Sequence, residues 1–219
     1  MMAVTSINSA VGVCSLALAH LKLKPAVSLE TPVSEGEKRC ALVYHLLRRK
    51  TLRALPWNFA IKRAVLTETL PAPIFGFSHK FALPTDFVRY LSRYDESGFR
   101  LRTVGTESDY ELENGFLLLN GDTGETVNLR YIYDHEDVPA WDPMFIDLLA
   151  YEIAIRIGPN FSISGNELDR LSRERRELRA EAGAIDGQER PPKRIQRSRL
   201  IQARRQGPAV AGTFINFDS

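Results

Sequence analysis

The chain has 219 residues, 44% of them hydrophobic and 26% charged, with a formal net charge of +2. That length and balance allow one buried core, with at most a smaller satellite domain, and exclude a chain that is disordered through most of its length. A sum so close to neutral says little about partners, because Lys and Arg are unevenly spread and their location matters more.

Residues 6–22 read as a first helix, with Ile7, Val11, Cys14, Leu18 and Leu21 at helical spacing and Thr5 available as its cap. The apolar stretch 11–23 has Asn8, Ser9, His20 and Lys22 within or beside it and no basic segment before it. It is too short to span a bilayer, so the expectation is a protein with neither membrane segment nor export signal. Pro25 opposes continuation of the helix. Cys14 and Cys40 fall on predicted helices with no pairing or metal-like spacing, which predicts reduced core residues of a protein made in a cytoplasm.

Ser34 and Glu37 form a capping box that opens a second helix to about Ala54. Ala41, Tyr44, Leu47 and Leu55 supply its apolar stripe. Arg48, Arg49, Lys50 and Arg53 crowd its last turns, where positive charge suits the helix dipole, and Pro56 ends it. From Phe59 to Tyr133 the pattern changes to short β-branched and aromatic runs broken by Gly, Pro and Asn, the pattern of strands joined by turns. The best hairpin runs from Asp109 through Glu113, over Asn114-Gly115, and back along Phe116 to Leu119, since Asn-Gly supplies the positive φ angles of a tight turn. Residues 120–124 turn the chain again into a strand over 126–133. There Val127, Leu129, Tyr131 and Tyr133 alternate with Asn128, Arg130 and Ile132, as in a half-exposed antiparallel sheet.

Asp142-Pro143, a cap followed by Pro in the first helical position, opens a third helix with an apolar face of Phe145, Leu148, Leu149, Ile153 and Ile157. Gly158-Pro159 stops it. Ser164 and Glu167 form a second capping box before a charged helix anchored by Leu168, Leu171 and Leu178 and ending at Gly183. The fold class is therefore α+β: a helical bundle of about four helices (1–58 and 137–183), an inserted antiparallel β-domain (59–136) and an extended C-terminal arm (184–219).

In that arm Arg190, Lys193, Arg194, Arg197, Arg199, Arg204 and Arg205 meet no acid before Asp218, and the segment ends in Phe214-Ile215-Asn216-Phe217. Fully extended at about 3.3 Å per residue, residues 190–219 reach on the order of 90 Å. A basic run with an apolar tip that has nothing local to bury against reads as a partner-binding segment, steered by its charges and anchored by Phe214 and Phe217.

Signs of catalysis are missing from the sequence. His20, His45, His79 and His135 are isolated from one another. Asp134-His135-Glu136-Asp137 has residue types suited to a divalent cation, but its place before a helix favours a helix-start role. Gly121-Asp122-Thr123-Gly124 lacks the Lys-Ser or Lys-Thr of a phosphate loop. The expectation is no enzyme, no cofactor and no bound metal. Pro56-Trp57-Asn58-Phe59-Ala60 stands out instead, with Trp57 and Phe59 placed to anchor the helical part against the sheet.

Several ordered pieces resemble the tail tubular protein A family, the adaptor or head-to-tail connector subunits of short-tailed bacteriophages. They are Ile7-Asn8-Ser9-Ala10, Ser28-Leu29-Glu30, Leu52-Arg53-x-x-Pro56-Trp57-Asn58-Phe59-Ala60-x-Lys62-Arg63, Leu83-Pro84-x-Asp86-Phe87-x-Arg89, Tyr131-Ile132-Tyr133, Asp142-Pro143-x-Phe145 and Leu149-Ala150. The family's usual Gly after the first helix is not matched in Leu23-Lys24-Pro25-Ala26. The resemblance implies a virion protein of the tail or neck, assembled in the host cytoplasm. It would form a homo-oligomeric ring, typically of twelve copies, beneath the portal protein. The ring receives the tail tube or nozzle protein and leaves a channel through which DNA passes without sequence-specific binding; no membrane is involved. It also implies that the arm is a portal-binding strap. Glu167, Asp169, Arg173, Glu174 and Arg176 are inter-subunit ion partners on this reading, worth about 0 to 1 kcal/mol each. Two other readings stand beside it. In one, the seven cations of the arm bind nucleic-acid phosphates in an assembly protein. In the other, a virion-associated cell-wall hydrolase uses Glu111 and Glu113 as acid and base.

Overall fold

The computed structural model describes residues 7–94, 110–120 and 126–188. Among these are four helices and two small antiparallel sheets, an α+β fold. The helices are α1 (Ala10–His20), α2 (Glu35–Ala54), α3 (Pro143–Ile157) and α4 (Gly165–Gln188); the strands are β1 (Ile61–Thr67), β2 (His79–Ala82), β3 (Phe87–Tyr94), β4 (Tyr110–Glu113), β5 (Phe116–Leu119) and β6 (Thr126–Tyr133). The chain divides into two units, Met1–Gly187 and Gln188–Ser219, and apart from the final residue of α4 every one of these helices and strands belongs to the first.

Local chemistry sets most helix ends. α1 starts later than the sequence suggests: its cap is Ser9, whose hydroxyl accepts the Gly12 N–H at 3.0 Å, while Thr5 lies outside the described residues. It also stops before Pro25. The Leu23 N–H returns to the Leu18 carbonyl and the Lys22 N–H to the Ala19 carbonyl, both at 2.9 Å, with Lys22 at φ 58°. That is a Schellman stop with Lys in the left-handed position usually given to Gly. α2 opens on the expected box, with Ser34 and Glu37 bonded reciprocally. Asp142 caps α3 by accepting the Met144 N–H at 2.7 Å, with Pro143 in the first position. Ser164 accepts the Glu167 N–H at 3.3 Å, and α4 runs through Gly183 to Gln188, past the expected end.

The sheets have strand orders β1-β6-β3 and β2-β5-β4. The β4–β5 turn is Asn114-Gly115 at φ 45° and 80°, pairing Glu113 with Phe116. Leu66, Phe81, Leu117, Leu119, Val127, Leu129 and Tyr131 form a small core between the two sheets. A larger core gathers Val13, Leu18, Leu52, Leu149, Ile153 and Leu171 from the four helices and takes in Val88 and Ile132 from the first sheet. The β1-β6-β3 sheet is thus a shared middle layer, with helices on one face and the second sheet on the other. Ile132, expected on the polar face of its strand, is fully buried for that reason. No helix among the described residues is long and apolar enough to cross a membrane.

Candidate functional site

The densest constellation lies where the end of α2 meets the ends of β6 and β3 and the start of α3. Pro56 turns the chain out of α2, and a short 3-10 turn (Asn58–Ala60) then feeds β1. Trp57 is 2% exposed, and its indole N–H donates to the Thr51 carbonyl at 3.1 Å. Its ring meets Phe145 edge-on at 5.1 Å; Phe59 also meets Phe145 at 5.1 Å, and Trp141 meets it at 4.9 Å. His135 completes the group, 5.7 Å from Phe59 and 5.0 Å from Tyr133. Trp57 and Phe59 therefore join helix to sheet through the first turn of α3.

Charges tie the same region. Arg48 is buried on α2; its guanidinium donates to Asp134 at 2.9 and 3.2 Å and to Glu136 at 2.6 Å. These bonds hold the Glu136 carboxyl below its ordinary value. Burial holds the His135 imidazole below its ordinary value, against the pull of Asp137. The role expected for Asp134, His135, Glu136 and Asp137 is thus corrected: the helix starts only at Pro143, and two of the four residues bind Arg48. Among the described residues no group of three or more His, Cys, Asp or Glu is placed to hold a metal ion. Arg48, Lys50 and Arg53 likewise spend their charge on tertiary partners more than on the helix end. Lys50 meets Glu152 at 2.9 Å, Arg175 of α4 meets the same carboxylate at 3.1 Å, and Arg53 donates to the Val88 carbonyl at 2.7 Å.

A second knot lies on the sheet side. Asp86 accepts from Lys62 at 2.6 Å and from the Tyr131 hydroxyl at 2.9 Å, and the Arg53 carbonyl accepts from Arg89 at 3.1 Å. Burial pushes the Asp86 carboxyl up, but the bonds from Lys62 and Tyr131 outweigh it and leave it below its ordinary value. A third knot fixes the loop after α1. Glu37, 4% exposed, accepts backbone N–H groups from Val27, Val33 and Ser34 at 2.8, 2.7 and 2.8 Å, which lowers its pKa to about 2.

The residues expected to be functional fall in different places. Arg190, Lys193, Arg194, Arg197, Arg199, Arg204, Arg205, Phe214 and Phe217 lie outside the described residues. On α4, Glu167 and Glu174 both bond Arg170, Glu167 also pairs with Lys22, and Glu174 accepts from Tyr151, so both acids have partners within the chain. Asp169, Arg173 and Arg176 are exposed, with Arg176 donating to the Ser172 carbonyl of its own helix. Glu111 and Glu113 are exposed on β4.

Sequence reasoning missed the partner of Arg48, the triple acceptor role of Glu37 and the Lys62–Asp86–Tyr131 knot. It also separated Cys14 from Cys40, which are buried side by side. The hydrogen bond with Cys40 and then burial push the Cys14 thiol well up, so it stays protonated. The only advance signal for any of these was a Lys or Arg among apolar helix positions, which is too common to single out Arg48. The chain matches no protein-family model and no curated protein.

Proposed function

We propose that this protein is the adaptor subunit of a short-tailed bacteriophage. On this reading copies form a ring, of twelve in the related family, that joins the portal to the tail tube or nozzle and surrounds the DNA channel. The reading places the protein in the virion neck after assembly in the host cytoplasm.

The observation that carries it concerns the pieces that make up the resemblance. They are far apart in the chain, yet they meet at one junction: Trp57 and Phe59 on Phe145, Lys62 and Tyr131 on Asp86, and Arg89 on the Arg53 carbonyl. Ser9, in the first piece, caps α1. A chance likeness scattered over local motifs has no reason to select residues that bond one another, whereas an inherited fold does.

The test is to mix the purified chain with portal rings of its own phage and examine them by negative-stain electron microscopy. A collar of added density on one end of the portal is expected, lost when residues 190–219 are removed while the truncated body still folds. Full-length protein that leaves the portals bare refutes the adaptor reading. A collar that forms without the arm refutes only its role as strap.

A further inference from the structure

We propose that the outer face of α2 docks on the last turns of α4 in a second copy of this chain, forming the subunit contact of the ring. The inference deepens the adaptor reading and rests on it.

Leu42 and Leu46 are 76% and 66% exposed although both sit mid-helix in α2. Four residues apart, they form one continuous apolar ridge. Lys38, one turn before, and Arg49, about one turn after, are exposed cations that bracket it. Burying such a ridge calls for a partner that is apolar at its centre and acidic at its edge.

α4 presents that pattern. Ala180 and Ala184 are exposed and also four residues apart, leaving a shallow strip where a leucine ridge can sit, since rows at this spacing on two helices interdigitate. Glu177 and Glu181 border the strip, exposed and outside the ion pairs that occupy Glu167 and Glu174 on the same helix. The match in spacing and sign argues for a second copy over the other occupants within reach. The chain's own segment 190–205 is basic and would meet Lys38 and Arg49 with like charge. Two α2 faces related by a two-fold axis would do the same. What remains is a head-to-tail contact between two different surfaces, the kind that closes into a ring.

The experiment uses the full chain with paired cysteines, Leu46→Cys with Ala180→Cys for antiparallel helices and Leu46→Cys with Ala184→Cys for parallel ones. Cys14 and Cys40 are buried, so the parent chain is the control. After mild oxidation, one of the two pairs should give a ladder of multimers on a non-reducing gel, with and without portal rings. Glu177→Lys with Glu181→Lys should reduce that ladder by about tenfold, and adding Lys38→Glu with Arg49→Glu should restore it. The interface is overturned if neither pair gives more multimer than the parent chain. It is equally overturned if Leu46→Cys alone gives only dimers, the mark of a two-fold contact. A portal collar without a ladder sinks this interface and leaves the adaptor reading standing. A ladder without a collar does the reverse.

Discussion

Replacing Arg48 with Met keeps most of the side-chain volume and removes the charge that holds Asp134 and Glu136. The two carboxylates are not equally dependent on it. The Glu136 side chain is 69% exposed and returns to water at little cost, whereas that of Asp134 is 15% exposed and is left as a poorly solvated anion, with Arg49 only 3.8 Å away as a weak substitute. Removing one partner of a fully buried pair costs about 3–5 kcal/mol, so stranding essentially one carboxylate puts Arg48→Met near the bottom of that range, at about 3 kcal/mol. For a body of this size, that corresponds to a melting point lowered by about 6–12 °C. Glu136→Gln should cost under about 1 kcal/mol. Arg48→Lys should not rescue, because a single ammonium cannot reach both carboxylates as the planar guanidinium does. Urea unfolding followed by circular dichroism gives the free energies. A double-mutant cycle between Arg48→Met and Asp134→Leu should return a coupling of about 2 kcal/mol. Arg48→Met within about 1 kcal/mol of the parent, with Glu136→Gln costing as much, would refute the view that Asp134 is the dependent partner.

Three other outcomes are expected from the same geometry. Glu37 has a folded pKa of about 2 against an ordinary 4.5, so its stabilisation is complete above pH 4.5 and is lost as pH falls toward 2. Glu37→Gln should flatten that stretch of the acid-unfolding curve; an unchanged curve would show that the loop after α1 does not depend on the charge. His135 is held below 6.5 by burial, so the unfolded chain takes up its proton first and stability falls as pH drops below 6.5. His135→Phe should remove part of that slope in urea midpoints, His20, lowered by burial as well, carrying another part; a slope unchanged in His135→Phe would rule the assignment out. Lys22→Gly should raise stability by about 0.5–1 kcal/mol, since a left-handed Lys is strained and a Gly there is not. A lower melting point in that variant would mean that the exposed Lys22–Glu167 pair at 3.8 Å matters more than the backbone.

Features written into a few neighbouring residues were readable in advance. The Asn114-Gly115 turn, the Ser34–Glu37 box and the Asp142-Pro143 start each need only local backbone chemistry, and each occurs where the sequence put it. Errors arose where a distant segment decides. Thr5 and Ser9 are equally good caps on paper, and only packing selects the turn at which α1 begins. Gly183 reads as a stop, yet Ala182 is buried beside it, and a Cβ on Gly183 would sit in ordinary contact, 3.6 Å from Leu55, so packing against the end of α2 carries the helix on. Ile132 looked polar-facing because alternation assumes one wet face, and a middle layer has none. The role of Arg48 depends on Asp134, 86 residues away, which no local pattern encodes.

These two kinds of feature meet on α2, which has separate duties on its two sides. Cys40, Tyr44, Leu47, Arg48 and Thr51 face inward and are buried, while Leu42 and Leu46 face outward. If the outer ridge serves only assembly, Leu46→Asp should change the unfolding free energy of the isolated chain by no more than about 0.5 kcal/mol, as for an ordinary surface substitution. It should nevertheless abolish head-to-tail association. Arg48→Met should do the opposite, weakening the fold while the outer ridge keeps its shape and charge below the melting point. Because neither side chain bonds the other's partners, the stability effects of the two substitutions should add in the double variant. A large departure from additivity would mean that the helix bends or rotates when its inner face is disturbed. The ridge would then be a product of the junction, and loss of the Arg48 pair would reach the subunit contact through the helix itself.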